Sequence, residues 1–176
     1  QHDGAKFLAG GHSLIPVMKL RLADPGVLID IGRIPDLSGI TSDNGHFRIG
    51  ALTTHATVAA YNDSQMPAAL PEAAGKIGDP QVRNRGTVGG NVAHADPASD
   101  LPTVFTALNA TFHVAGPNGT RTIAAQNFFT DLFETAMNEN ELLVAVDVPA
   151  VGSRPAKDDL GAEGSEQPGP EPGRRA

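Results

Sequence analysis

Short runs of hydrophobic residues, separated by turn-forming residues, follow one another along most of the chain. Apolar runs of four to eight residues predict strands, and apolar residues spaced three or four apart predict helices. The pattern predicts strands at residues 7–9, 27–31, 39–41, 47–52, 110–114, 121–123 and 142–148. It predicts helices at residues 14–22, 54–62, 68–77 and 101–108, and a small helical cluster at residues 128–133. This order indicates an α+β fold rather than strict βαβ alternation.

The connections between these elements differ in kind. Asn44-Gly45 supplies the positive-φ pair that a tight hairpin needs, and residues 116–119 (Gly-Pro-Asn-Gly) predict a second hairpin. Residues 27–31 are almost continuously apolar between turn residues, which predicts a buried strand. Residues 78–101 have few aliphatic side chains and many Gly, Asn, Asp and Pro, so we predict a long loop there. A structureless stretch of this length inside a domain is usually functional.

Composition excludes several function classes. The 176 residues include 20 Gly, 14 Pro and no Cys, and the formal net charge is −7. Without cysteine the chain has no thiolate metal site, no iron–sulfur ligand and no cysteine nucleophile. The acidic balance argues against nucleic-acid binding. A membrane span needs about 20 consecutive apolar residues, which the sequence does not contain. We predict a cytoplasmic protein that binds no nucleic acid and has no membrane span.

The composition changes at residue 152. Residues 152–176 are rich in Gly, Pro and charge, and Leu160 is their only large aliphatic residue. Such a segment buries too little apolar surface to offset its ordering entropy, so we predict a disordered tail. Residues 1–151 form the predicted domain. Its apolar pattern begins at once, at Phe7-Leu8, and the tail replaces any further lobe, so we expect a domain truncated at both ends.

Two Gly-Gly segments carry the candidate chemistry. The first, Ala9-Gly10-Gly11-His12-Ser13, lies between a predicted strand and a short helix. Its glycines let backbone N–H groups approach an anion, and a helix start adds positive charge. An ordinary strand–helix turn with Ser13 as helix cap explains the same residues equally well. The segment matches neither the P-loop nor the Rossmann fingerprint.

The second segment is Arg85-Gly86-Thr87-Val88-Gly89-Gly90-Asn91, followed by Asp96 and Asp100. Thr87 and Asn91 can donate hydrogen bonds to phosphate or to a heterocycle carbonyl, and Asp100 can accept from sugar hydroxyls. Two such loops, one with acidic partners, suggest one long ligand with a pyrophosphate in the middle and ribose or ribityl hydroxyls nearby.

At this level of detail the sequence resembles a known family. The segments AGGHSLIPVMKLRLADPGVLIDIGRIPDLSGI, IGALTTHATVA and RNRGTVGGNVAHADPASDLP resemble the FAD-binding medium subunit of molybdenum hydroxylases. The pattern is closest to the aerobic carbon monoxide dehydrogenase type, and the FAD domain of xanthine dehydrogenase is more distant. The resemblance covers about residues 6–149. It implies an FAD-binding fold of the vanillyl-alcohol-oxidase (PCMH) type, with two small α+β lobes and FAD between them.

The resemblance also implies which residues hold the FAD. Backbone amides of the first loop would bind the pyrophosphate, and Thr87 and Asn91 would contact diphosphate or ribityl oxygens. Asp100 matches a carboxylate that binds a sugar hydroxyl, Asp96 is a weaker candidate, and Leu143 falls at a contact to the isoalloxazine or adenine end. The predicted cofactor-binding residues are Ala9, Gly10, Gly11, His12, Ser13, Thr87, Val88, Gly89, Gly90, Asn91, Asp96, Asp100 and Leu143.

The family's partners follow from the same resemblance. It implies a heterotrimer, able to dimerise, with an iron–sulfur small subunit and a molybdenum large subunit. FAD would take electrons from the iron–sulfur clusters and pass them to an external acceptor. No acid–base pair stands out, which suits a subunit whose cofactor performs the redox chemistry. Two alternatives stay open: a stand-alone flavin reductase of the same fold, or a truncated, inactive nucleotide-binding module.

Other residues are weighed against simpler explanations. His12, His55 and His94 match no zinc spacing, so we predict no metal site. We predict no catalytic residue in this chain. Phe128, Phe129 and Phe133 are most simply a core cluster. Ile77 stands where xanthine dehydrogenase has an aromatic contact to FAD, so stacking at that position would be lost.

Overall fold

The computed structural model describes residues 4–153 and shows the predicted mixture of strands and helices. The strands are β1 Lys6–Leu8, β2 Leu28–Asp30, β3 Ile40–Asp43, β4 His46–Gly50, β5 Thr111–Gly116, β6 Gly119–Ala124, β7 Phe129–Asp131, β8 Glu134–Thr135 and β9 Leu142–Pro149. The helices are α1 Leu14–Lys19, α2 His55–Ala59, α3 Ala69–Lys76, α4 Pro80–Arg85, α5 Val88–His94 and α6 Asp100–Ala107. The predicted tail lies outside the described residues, except for Gly152 and Ser153.

An antiparallel five-stranded sheet, in the order β3-β4-β9-β5-β6, forms the centre of the larger lobe. Asn44 and Gly45 take left-handed conformations with φ of 49° and 78°, so the predicted β3–β4 hairpin is confirmed. The predicted β5–β6 hairpin is confirmed as well. Alternate residues of the strands point into the core, as a sheet covered on one face requires.

Short helices cover the inner face of this sheet. Phe47 and Ile49 of β4 are fully buried, and so are Val58 of α2, Leu70 of α3 and Phe105 of α6. They belong to one continuous hydrophobic cluster. Within the described residues no helix is long and apolar enough to cross a membrane.

The smaller lobe consists of β1, α1 and β2, with β1 and β2 parallel. Here the expectation of a buried strand at residues 27–31 is wrong. Leu28 and Ile29 are 38% and 41% exposed, and only Ile31 is buried. The physical reason is that β2 has one neighbouring strand, and α1 contributes no buried residue to cover it.

The predicted long loop at residues 78–101 is also wrong, because this stretch contains two helices. Asp79 caps α4 by accepting a hydrogen bond from the Val82 N–H at 2.9 Å, and Pro80 stands at the first helical position. Thr87 caps α5 by accepting from the Gly90 N–H at 3.1 Å. These capping hydrogen bonds favour the two helices although the stretch has few aliphatic residues.

Residues 128–133 form no helix. A 3₁₀ turn at Ala125–Asn127 leads into the β7–β8 hairpin. The predicted core cluster is confirmed for Phe128, which is fully buried, but is wrong for Phe133, which is 55% exposed. Phe133 lies at the tip of the hairpin, where the chain reverses, so its side chain is directed away from the core.

Candidate functional site

The two glycine loops face one cavity of about 630 Å³ between the lobes. This volume lies within the usual range for sites that bind a small molecule or cofactor. The lining includes Ala9 to Ser13 from the first loop and Thr87, Gly89, Gly90 and Asn91 from the second. Segments some eighty residues apart in sequence thus meet at one site, as the single-ligand interpretation requires.

In each pair, one glycine permits close backbone packing. A Cβ on Gly10 would overlap the carbonyl oxygen of Arg85, so the first loop lies directly on the backbone that leads into the second. A Cβ on Gly89 would come within 2.8 Å of the Ala51 carbonyl oxygen. Any larger residue would force these segments apart.

The other glycine of each pair stands at the cavity surface. Gly11 has φ of +75°, the left-handed conformation that glycine adopts without strain. A Cβ on Gly90 would meet the Thr87 hydroxyl oxygen at 2.8 Å and the Cβ of Ala9 at 3.9 Å. Gly90 therefore faces the first loop at close range, and a side chain there would narrow the space between the loops.

The first loop offers unused backbone donors. Within the described residues, the N–H groups of Gly11, His12 and Ser13 make no protein hydrogen bond. Ser13 occupies the N-cap position of α1, yet its side chain makes no capping hydrogen bond. Three N–H groups and a hydroxyl therefore remain for an anion, and this donor set suits phosphate oxygens.

The second loop has already used its backbone donors. The N–H of Gly89 donates to Ala51 O at 2.7 Å, that of Gly90 to the Thr87 hydroxyl, and that of Asn91 to Thr87 O at 3.0 Å. Its remaining polar groups are side-chain atoms. The side-chain oxygen Oδ1 of Asn91 accepts a hydrogen bond from Ser99 Oγ at 2.8 Å, which leaves the side-chain nitrogen Nδ2 of Asn91 as a donor.

A strand irregularity anchors this second loop. Pairing between β5 and β9 shifts at Val144, whose carbonyl oxygen instead accepts from the Ala51 N–H at 3.0 Å. The segment after β4 is thereby fixed to the sheet. Carbonyl oxygens of this segment then accept hydrogen bonds from the N–H groups of Val88 and Gly89. The position of the second loop is therefore fixed relative to the sheet.

His55 lies beneath the second loop at the cavity wall. His55 is only 3% exposed, and its Nδ1 has no hydrogen-bond partner among the residues that the structure describes. A Cβ on Gly86 would come within 2.8 Å of its ring. Burial, with a smaller contribution from the charge of His12, lowers the pKa of His55 to about 4. His55 is therefore a neutral imidazole at neutral pH.

The cavity wall also carries a paired carboxylate, Glu141. Arg121 donates to both oxygens of Glu141, from Nε and Nη2, each at 2.7 Å, and the Asn138 N–H donates to Glu141 at 2.7 Å. These hydrogen bonds lower the pKa of Glu141 to about 2. Glu141 is consequently a charged, positioned group that braces the loop before β9, and it is poorly suited to exchange protons with a substrate.

The predicted site residues divide into two groups. All line the cavity except three, namely Val88, Asp96 and Asp100. Val88 is fully buried, Asp96 accepts the Ala98 N–H at 2.9 Å in its own turn, and Asp100 lies in the first turn of α6. Their assignment to the cofactor stays a prediction, as do the individual contacts of the others.

Sequence reasoning missed many of the lining residues, and three of them bring a distinct chemical group to the cavity. Lys6 of β1 brings an amine to the cavity, His55 an uncharged imidazole and Phe133 an exposed ring. Nothing in the sequence distinguished Phe133 from the neighbouring phenylalanines. His55 did carry a signal, because it follows Thr54, the capping residue of the helix that packs under the second loop. Ile77 lines the cavity, as the resemblance implied.

The fold and the paired loops define a class of protein, an α+β domain with a cofactor-sized cavity lined by two glycine loops. Residues 1–151 match the family described as "FAD binding domain in molybdopterin dehydrogenase". The chain is 49% identical over 148 residues to the carbon monoxide dehydrogenase medium chain of Hydrogenophaga pseudoflava, covering 83% of this chain and 51% of that one. It is 31% identical over 148 residues to the xanthine dehydrogenase FAD-binding subunit of Escherichia coli O157:H7, covering 82% and 50%.

A solved structure gives the same result. Carbon monoxide dehydrogenase from Hydrogenophaga pseudoflava superposes with a TM-score of 0.81 at 49% identity, covering 84% of this chain and 52% of the matched one. The chain belongs to the family of FAD-binding domains of molybdopterin dehydrogenases. It spans about half the length of the relatives it matches.

These comparisons confirm several sequence-based expectations. The resemblance to the carbon monoxide dehydrogenase type is confirmed, with xanthine dehydrogenase more distant. The α+β FAD-binding fold and FAD as cofactor are confirmed as well, and the relatives are, as expected, chains of dehydrogenases, which are oxidoreductases. The named relatives are one chain of enzymes that contain several, in keeping with an enzyme that has partner subunits.

Proposed function

We propose that the chain holds FAD between its two glycine loops and works as the electron-transfer subunit of a molybdenum hydroxylase of the carbon monoxide dehydrogenase type. The observation that carries this proposal is the meeting of the two loops at one cavity, where Gly90 lies close to Ala9 and both residues line the wall. Neither loop alone distinguishes a cofactor cradle from an ordinary turn.

The two loops divide the binding of the dinucleotide between them. The free N–H groups of Gly11, His12 and Ser13 would hold the pyrophosphate, and Lys6 adds one positive charge. The Thr87 hydroxyl and the Asn91 amide would contact diphosphate or ribityl oxygens, while Leu143, 3% exposed, offers an apolar surface. Asp100 and Asp96 would reach sugar hydroxyls only at the rim, since neither lines the cavity.

The lining residues support electron transfer rather than substrate chemistry on this chain. When bound, FAD would supply the redox chemistry of electron transfer. Glu141 is held ionised by Arg121, and burial keeps His55 neutral, so these two lining residues do not form a proton-exchanging pair. The chain's residues would bind and orient the flavin and exclude water from it.

The remaining parts of the proposal concern the whole enzyme. We propose that an iron–sulfur small subunit delivers electrons taken from a molybdenum large subunit, in a cytoplasmic heterotrimer able to dimerise. The external acceptor, a quinone, oxygen or NAD, receives them from FAD. The absence of cysteine in this chain is compatible with the clusters being held elsewhere.

The test is a titration of the purified 176-residue chain with FAD, followed by desalting and a visible spectrum. Retained flavin absorption supports the cradle, and co-purification with an iron–sulfur subunit separates the electron-transfer subunit from a stand-alone flavin reductase. A folded chain that retains no flavin contradicts the proposal and leaves the inactive nucleotide-binding module.

A single substitution makes this test specific to the cradle. Gly90→Val would place two methyl groups between the loops and is expected to abolish flavin retention. Gly26→Val is the matched control, because a Cβ on Gly26 meets nothing within 4 Å and Gly26 lies outside the cavity. Circular dichroism checks that both variants fold. Normal FAD binding by a folded Gly90→Val variant would mean that the cradle is assigned wrongly.

A further inference from the structure

An exposed aromatic ring stands at the edge of the cavity. Phe133 lines the cavity although 55% of its surface is exposed, and its ring centroid lies 5.2 Å from that of His94. The adjacent Leu132 is 66% exposed but is not a lining residue. Of these two exposed apolar side chains, only Phe133 is directed to the cavity.

The backbone holds Phe133 in an unfavourable conformation. Its φ is +58°, in the left-handed region that bulky side chains rarely adopt. Its N–H donates to the carbonyl of Ala95 at 3.2 Å, and Ala95, the C-cap of α5, is itself left-handed with φ of +50°. Strain of this kind persists where surrounding structure enforces it, and it is concentrated at functional sites.

The hairpin that carries Phe133 has a rigid base. Phe128 is fully buried, with its ring centroid 4.3 Å from that of Phe112. Its carbonyl oxygen accepts the Ala136 N–H at 2.8 Å, which closes the hairpin behind the tip. The ring of Phe133 is therefore presented by packed structure and not by a loose loop.

The position of this ring fits one part of a dinucleotide. Helix α5 begins at the second glycine loop and ends at His94, so a rise of about 1.5 Å per residue places His94 about 9 Å along the helix from Val88. A dinucleotide with its pyrophosphate at the glycine loops carries a flat heteroaromatic ring at each end, beyond a sugar or sugar-alcohol chain. Phe133 stands where one such end would lie.

We propose that Phe133 binds the cofactor by stacking on one of its heteroaromatic rings. This inference rests on the proposed function, because it requires that FAD occupies the cavity. It adds a third segment, the β7–β8 hairpin, to the two glycine loops that would contact the cofactor. Isoalloxazine and adenine offer the same stacking chemistry, and the ligands used in the test distinguish them.

The first measurement compares affinities for FAD and for ADP in Phe133→Ala and Leu132→Ala variants. Stacking of one aromatic ring predicts about tenfold weaker binding in Phe133→Ala. Loss with both ligands assigns the contact to adenine, whereas loss with FAD alone assigns it to isoalloxazine. Leu132→Ala, the neighbouring exposed residue, should keep wild-type affinity for both.

The second measurement has a readout that an effect on folding would not produce. The chain contains no tryptophan, so Phe133→Trp introduces a single fluorescent reporter and conserves an aromatic ring. We expect this variant to keep FAD affinity and its indole emission to be quenched on binding more strongly than that of Leu132→Trp, because direct ring contact adds to quenching by energy transfer. Equal affinities of Phe133→Ala and Leu132→Ala, in a wild-type chain that binds FAD, would overturn this inference alone. A wild-type chain that binds no FAD would overturn the proposed function together with it.

Discussion

The buried imidazole of His55 makes the stability of the domain sensitive to acid. An unfolded chain binds a proton at this side chain below its ordinary pKa of 6.5, but the folded chain does so only near pH 4. Between these values the unfolded state holds more protons, so the free energy of unfolding falls as the pH falls. Above pH 6.5 both states are neutral at His55, and the residue contributes no pH dependence.

The size of the effect follows from the two pKa values. One pKa unit corresponds to about 1.4 kcal/mol, so the shift to about 4 predicts a loss of about 2 kcal/mol by pH 5 and about 3 kcal/mol by pH 4. Solvent screens this side chain little, because the residue is only 3% exposed. Against a typical unfolding free energy of about 5–15 kcal/mol, the change is large enough to measure.

Urea unfolding followed by circular dichroism between pH 7 and pH 4 tests this expectation. The substitution His55→Asn removes the titrating group and should flatten the pH profile relative to wild type, whatever its effect at pH 7. His46→Asn, at the first residue of β4 and outside the cavity, is the matched control and should leave the wild-type slope unchanged. Parallel profiles for wild type and His55→Asn would refute the reasoning, because the acid sensitivity would then come from other groups.

Two further substitutions test other parts of the site. Glu141→Gln removes the carboxylate charge that the Arg121 guanidinium binds, so we expect about 1 kcal/mol lower stability in thermal unfolding at neutral pH. Because the pKa of Glu141 is lowered to about 2, the stability difference between wild type and variant should persist at pH 5. It should disappear as the pH falls from 4.5 towards 2. An unchanged melting temperature would mean that the Arg121–Glu141 pair does not stabilise the cavity wall. Gly10→Ala places a Cβ on a backbone carbonyl that cannot move without displacing the second loop, so FAD titration should show severely weakened binding, while Gly26→Ala, which meets nothing within 4 Å, should bind normally.

The sequence predicted those parts of the fold that depend on local chemistry. The hairpin at Asn44-Gly45 was predictable because its φ values are ones that this pair favours. Helix α2 was predictable from Thr54, which caps it by accepting the Thr57 N–H. In both places a few adjacent residues determine the backbone, and no distant contact is needed.

The errors arose where distant contacts decide the structure. Helix α5 is short and poor in aliphatic residues, and packing of Val88 and Val92 in the core stabilises it beyond what its composition suggests. Leu28 and Ile29 have the composition of a buried strand, yet exposure depends on neighbouring elements that the pattern does not specify. Likewise Phe133 differs from Phe128 only in its position on a hairpin.

The two Gly-Gly segments that line the cavity were visible in the sequence, and the electrostatics proposed for the site explain why. We propose that a domain in a chain of net charge −7 binds the pyrophosphate with few cations and mainly through backbone N–H groups. Such donors need glycine at the points of closest approach, and Gly-Gly pairs are visible in a sequence. What the sequence could not show is that the second loop has used its N–H groups on the segment after β4. We therefore propose that the first loop binds the anion and that the second supplies shape and side-chain donors.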